Sequence, residues 1–113
     1  MTSSDYIQSL RVTEKDDFPD IDYYSIKKAA MVLRALNHQL RQQIIKTIHE
    51  NKMLTVTQLY VKLRLDQSVA SQHLAILRKA GIVSTQRDGK FIFYTINFSR
   101  IEAINEFVKS LVG

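Results

Sequence analysis

Between residues 54 and 81 the chain carries two complete helix signals separated by only two residues, and that spacing limits the possible folds more than any other feature. Thr55 and Gln58 stand at capping-box spacing, with Leu54 and Leu59 placed to staple the first turn, so a short helix is predicted to about Arg64. Asp66 then offers an N-cap for a second helix over 67–80. Gly81 is placed as its left-handed stop, and Arg78 and Lys79 lie near the negative end of its dipole. Leu65-Asp66 leaves room only for a tight turn, so the two helices must form a helix-turn-helix unit.

The flanking segments complete one domain. Ile21-Asp22 followed by Ile26 suits a capped and stapled helix over 23–36, with Ile26, Ala29, Leu33 and Leu36 on one side. Asn37 is the expected cap of a helix over 38–50, whose stripe of Leu40, Ile44, Ile45 and Ile48 also contains Arg41. After Gly81, two strand-like runs, Ile82–Arg87 and Lys90–Asn97, are joined by Asp88-Gly89, which predicts a hairpin closed by a type I′ turn. A last helix over 99–112 gathers Ile101, Ile104, Phe107, Val108 and Leu111 on one face. The expected class is α+β and mainly α: about five helices and a two-stranded hairpin wing, a winged helix-turn-helix. Residues 1–21 form an acidic leader that reads as flexible, and 22–113 the folded domain.

Charge is segregated along the chain. Residues 1–26 carry two basic and six acidic groups, whereas 27–97 carry twelve basic groups against Glu50, Asp66 and Asp88. The folded middle is therefore strongly cationic, which directs attention to nucleic acid. On the predicted helix over 67–80, Ala70, Leu74 and Leu77 mark the inward face, flanked by Val69, His73 and Ala80. Gln67, Ser68, Ser71, Gln72, Ala75, Arg78 and Lys79 fall on the other, a face of amides, hydroxyls and cations without a carboxylate. Glutamine can pair bidentately with adenine, serine can bond to bases or phosphates, and an alanine methyl allows close approach to thymine. Arg87 and Lys90 flank the hairpin turn, where cations can meet phosphates or the minor groove, although charges also keep an exposed hairpin soluble. Phe91, Phe93 and Tyr94 read as packing residues rather than stacking platforms for single-stranded bases.

The run from Leu65 to Val83, continued by Arg87-Asp88-Gly89-Lys90 and Phe93-Tyr94, closely resembles the ArsR/SmtB family of bacterial winged-helix repressors over about residues 25–110. The resemblance implies a homodimer built from the first and last helices, with an interface including Ile26, Ala29, Leu33, Ile101, Ile104, Phe107, Val108 and Leu111. It also implies that each subunit places residues 67–80 in a major groove of partly palindromic double-stranded DNA, repressing by occlusion until an effector, often a metal ion, binds. His73 matches a histidine usual in that string and is expected to be hydrogen-bonded structurally, with DNA contact as the second reading. Arg41 matches a usual arginine and is expected to bond backbone carbonyls or a carboxylate rather than DNA.

The sequence departs from the metal-sensing members. It contains no cysteine, so thiolate ligands and thiol switches are excluded, and Val56–Arg64 has no counterpart of their cysteine pair. Phe98, Ser99, Arg100 and Ser110 do not suit the terminal-helix metal site, and Glu102 and Glu106 lie on that helix's polar face. No metal and no cofactor is therefore expected. One alternative stays open, a metal-responsive repressor joining His38 or His49 to Asp16, Asp17, Asp20 or Asp22. A winged-helix adaptor or anti-activator that binds protein is another, disfavoured by the polar, cationic outward face of 67–79. Enzymatic function is not expected, because the chain offers no glycine-rich phosphate loop, having three glycines, and no defensible nucleophile with a base. No apolar run nears the roughly 18 residues of a membrane span, and the leader is polar, which points to a cytoplasmic chain.

Overall fold

Residues 19–113 are described by the structure, a computed structural model. Asp22 opens α1 (Tyr23–Leu36) by accepting from the Ser25 amide at 3.0 Å and the Ser25 hydroxyl at 2.7 Å. Asn37, expected to cap the next helix, instead closes α1 by donating its amide to the Leu33 carbonyl. His38 takes over the cap of α2 (Gln39–Asn51), its Nδ1 accepting from the Arg41 amide at 3.4 Å. A residue spent on ending one helix has the wrong backbone direction to start another, so the cap moves one position along.

The Thr55–Gln58 capping box forms reciprocally at the start of α3 (Val56–Leu63), with both bonds near 3 Å. Arg64 ends that helix at φ +55°, letting the Leu65 amide reach back to the Tyr60 carbonyl. Asp66 occupies the N-cap position of α4 (Gln67–Lys79), but its carboxylate makes no capping bond, contrary to expectation. At the other end Gly81, at φ +78°, supports a Schellman closure: its amide bonds to the Arg78 carbonyl and that of Ile82 to Leu77. A Cβ here would meet both the left-handed strain and the Arg100 Nε at 3.2 Å.

The sheet has one strand more than the predicted hairpin. β1 (Met53–Leu54), β2 (Val83–Asp88) and β3 (Phe91–Ile96) form an antiparallel sheet in the order β1-β3-β2, with Leu54 opposite Tyr94 and Ser84 opposite Thr95. Asp88 pairs with Phe91, so the loop is Gly89-Lys90 rather than Asp88-Gly89. Within it only Gly89 has positive φ (+62°), which matches a type II′ turn and corrects the expected type I′. Both classes follow the right-handed twist of the strands, and glycine at the first loop position selects the second.

α5 (Phe98–Val112) starts at Asn97, whose side chain accepts from the Arg100 amide and donates to the Gly81 carbonyl at 3.1 Å. Arg100 Nε adds a bond to the Ala80 carbonyl at 3.2 Å, so the beginning of α5 is tied to the end of α4. The core lies between α2, α3, α4 and the sheet, where Ile44, Ile48, Leu59, Leu74, Leu77 and Ile82 are wholly buried. Burying a side chain of this size contributes about 1.5–3 kcal/mol, so these six residues fix how α4 sits on the domain. By contrast α5 has no buried residue, and α1 has only Ala35.

Candidate nucleic-acid interface

Helical periodicity alone decides which side of α4 faces outward. Ala70, Leu74 and Leu77 anchor the helix in the core, and their spacing turns Gln67, Ser68, Ser71, Gln72, Ala75, Arg78 and Lys79 outward, all exposed. The seven residues expected from sequence thus share one solvent-facing surface, and no acidic residue lies in the first turn.

The wing stands beside this helix. Arg87 and Lys90 are exposed at its tip, and Arg87 Nε bends back to the Gly89 carbonyl at 3.3 Å, holding the guanidinium close to the turn. Phe91 does not pack as expected: it is 52% exposed, and Lys90 Nζ lies 5.5 Å above its ring. At the hairpin its ring lies beside that of Phe93, centroids 6.3 Å apart, and outside the buried core.

Between helix and wing runs an open cleft of about 410 Å³, lined by Ser71, Ala75, Arg78 and Lys79 from α4 and by Tyr94 from β3. The sequence assigns Tyr94 a packing role only, and its half-buried ring does rest against the core. Strand alternation holds the signal for the rest: Tyr94 shares a strand face with the buried Ile96, and a tyrosine at the edge of such a face presents a polar end to water.

The three histidines have defined settings. His73 Nδ1 lies 3.2 Å from Arg41 Nη1, and its ring centroid is 5.0 Å from that of His38. Burial, then the charges of His38 and Arg41, hold His73 below the usual histidine range. Arg41 also donates to the Ala35 carbonyl at 2.7 Å and the Arg34 carbonyl at 3.0 Å, so both residues have the structural partners expected of them. His49 stands edge-on to Phe98 with centroids 5.5 Å apart. No group of three metal-ligating side chains occurs among the described residues; Asp16 and Asp17 lie outside them.

A second surface lies between α1 and α5, with Arg100 among its lining residues. Ala29, Val32 and Leu33 of α1 face Ala103, Ile104 and Phe107 of α5 across a shallow cleft of about 220 Å³. Ile26 is 54% exposed, Phe107 48% and Leu111 66%, while Ile101 and Val108 are half-buried. Ile101 and Ile104 also touch the core from outside. No described helix is long and apolar enough to cross a membrane.

Residues 38–85, spanning α2 to the middle of β2, match the model of the arsR family of bacterial regulatory proteins. The chain is 37% identical over 84 residues to the transcriptional activator HlyU of Vibrio cholerae, covering 74% of this chain and 77% of that protein. It is 36% identical over 84 residues to the transcriptional repressor PagR of Bacillus anthracis, covering 74% of this chain and 84% of that one. The crystal structure of that PagR superposes with a TM-score of 0.62, covering 77% of this chain and 99% of PagR at 33% identity. NolR of Sinorhizobium fredii superposes at 0.66, with 28% identity and 85% and 97% coverage.

Proposed function

This chain belongs to the arsR family of bacterial regulatory proteins, and on that premise we propose that it represses transcription as a twofold homodimer seated on a partly palindromic operator. It is a DNA-binding transcriptional regulator with the winged-helix fold. In the proposed complex each protomer lays α4 in a major groove, Gln67, Ser68 and Gln72 towards base edges, while Arg87 and Lys90 meet the backbone or the minor groove. The observation that carries this reading is the outward face of α4, exposed throughout, polar and cationic, on a helix locked to the core by Ala70, Leu74 and Leu77. A protein-docking face would present a cluster of apolar anchors there, whereas Ile76, 42% exposed, is the one large apolar side chain that α4 exposes.

Dimerisation is inferred from the other surface. α5 buries no residue within its own protomer, and its apolar face continues into that of α1. A second copy supplies a matching face, and the twofold axis doubles the number of groove contacts. Repression is the simplest output, since a dimer lying over a promoter excludes polymerase by occupancy, and PagR is named a repressor. Action by binding rather than catalysis, in the bacterial cytoplasm, belongs to the same proposal. So does the division of the chain into an acidic leader, 1–21, and a DNA-binding and dimerisation domain, 22–113.

The test is electrophoretic retardation of fragments of the source genome across a salt series. Six to ten phosphate contacts per dimer give a log–log slope of roughly −5 to −9. No retardation at low salt by the folded protein overturns the proposal.

A further inference from the structure

We infer that the cleft between α4 and β3 seats the sugar-phosphate ridge of one DNA strand, with the Tyr94 hydroxyl and the Arg78 and Lys79 cations meeting the same backbone segment. This rests on the DNA reading above and adds to it a residue, Tyr94, and a division of labour along α4.

The geometry follows from the shape of the duplex. A phosphate ridge separates the major groove from the neighbouring minor groove, so a helix in the first and a hairpin reaching towards the second straddle that ridge. In this molecule the space between helix and hairpin is the cleft lined by Ser71, Ala75, Arg78, Lys79 and Tyr94. Its chemistry suits a phosphate: two cations, two hydroxyls able to donate, a methyl group small enough to admit the backbone, and no carboxylate. The Tyr94 ring is held against the core, and its strand is paired on both sides, with β1 through Leu54 and β2 through Thr85. A donor at that ring's end is therefore rigidly placed, with little side-chain entropy left to lose on binding.

The cleft lining also divides the outward face of α4. Arg78 and Lys79, at the C-terminal end, belong to the cleft and so to the backbone, while Gln67, Ser68 and Gln72, at the N-terminal end, lie outside it and remain for base edges. Backbone contacts position the helix without reading sequence, whereas base contacts discriminate.

Fluorescence anisotropy of the full chain on two duplexes of equal length, one recovered from the genomic fragments it selects and one of random sequence, tests the assignment. Tyr94→Phe keeps the ring and removes only the hydroxyl, so the thermal midpoint stays put. Affinity is expected to fall about three- to tenfold on both duplexes, with an unchanged salt slope because no charge is removed. Lys79→Gln is expected to weaken both duplexes and flatten the slope by about 0.9 for each phosphate left without its cation. In the Lys79→Gln background the Tyr94→Phe effect shrinks, because the two side chains share one backbone segment. Wild-type affinity of Tyr94→Phe on both duplexes overturns the assignment, and so does a loss confined to the selected duplex, which would mean base reading. If the unsubstituted protein binds neither duplex at low salt, the DNA reading itself falls.

Discussion

Arg41 on α2 and His73 on α4 meet at 3.2 Å, Nη1 to Nδ1, and this contact fixes the protonation of the histidine. A guanidinium can only donate, so Nδ1 accepts and the ring is neutral with its proton on Nε2. The same guanidinium holds the carbonyls of Arg34 and Ala35 at the end of α1, so one buried side chain joins three helices. Among them is the helix proposed to enter the groove.

Removing that link should be costly. Arg41→Ala leaves two carbonyls and a histidine nitrogen without their donor, and a loss of about 2–4 kcal/mol is expected from a urea titration. A drop below about 0.5 kcal/mol, the level of an ordinary surface substitution, would show that the arginine does not couple the helices.

The histidine gives a pH dependence of definite sign. Its folded-state pKa is lowered, by burial first and then by His38 and Arg41, so below the ordinary value of 6.5 the unfolded chain binds the proton more readily. The stability it supplies is therefore complete above that value and is lost as the pH falls through 6.5 towards the folded-state value. Asp22, also lowered through its bonds to Ser25, acts only below its ordinary 3.8, outside this window. Urea midpoints taken between about pH 8 and pH 5, on either side of the histidine range, should fall more for the wild type than for His73→Gln. Equal falls would remove His73 as the cause.

Base reading is tested at Gln72, exposed on α4 and outside the wing cleft. Gln72→Ala is expected to cost about 1–3 kcal/mol on the operator and far less on random DNA. The same cost on both would place the glutamine on the backbone.

Neutralising Arg87 and Lys90 together should weaken binding to every DNA sequence and flatten the salt slope by about 0.9 for each phosphate that is no longer neutralised. An unchanged slope in the retardation series would move the wing tip away from the phosphates. Arg87 is held by the Gly89 carbonyl and Lys90 lies over the Phe91 ring, so Arg87→Gln and Lys90→Gln alone are each expected to show part of the change.

The proposed interface makes a prediction about assembly. Ile104, at the α1–α5 cleft, and Leu111, 66% exposed near the end of α5, each become sites of repulsion if replaced by glutamate. Either variant should sediment as a folded monomer, while a dimer of wild-type mass would place the interface elsewhere.

Much of this architecture is readable from the chain because the signals are local. The Thr55–Gln58 box, the Gly81 stop and the three-to-four spacing of Ala70, Leu74 and Leu77 each act over a few residues, and together they define the helix-turn-helix and the outward face of α4. Arg41 within an apolar stripe announces a buried cation, though not its partners. What only the folded structure decided involves pairings between distant residues and the competition of neighbouring elements for one residue. β1 has two residues and no period to detect, and it exists because Leu54 finds Tyr94 forty positions away. The turn class depended on the register of Asp88 against Phe91, a one-residue choice made by pairing along the whole hairpin. His38 displaced Asn37 as a cap because the end of α1 had already claimed Asn37. The wing cleft with Tyr94 at its edge forms only when a strand and a helix from different parts of the chain pack side by side. Local sequence sets which elements form and which way they face; the competition among distant partners for the same backbone groups and the same core settles how they meet.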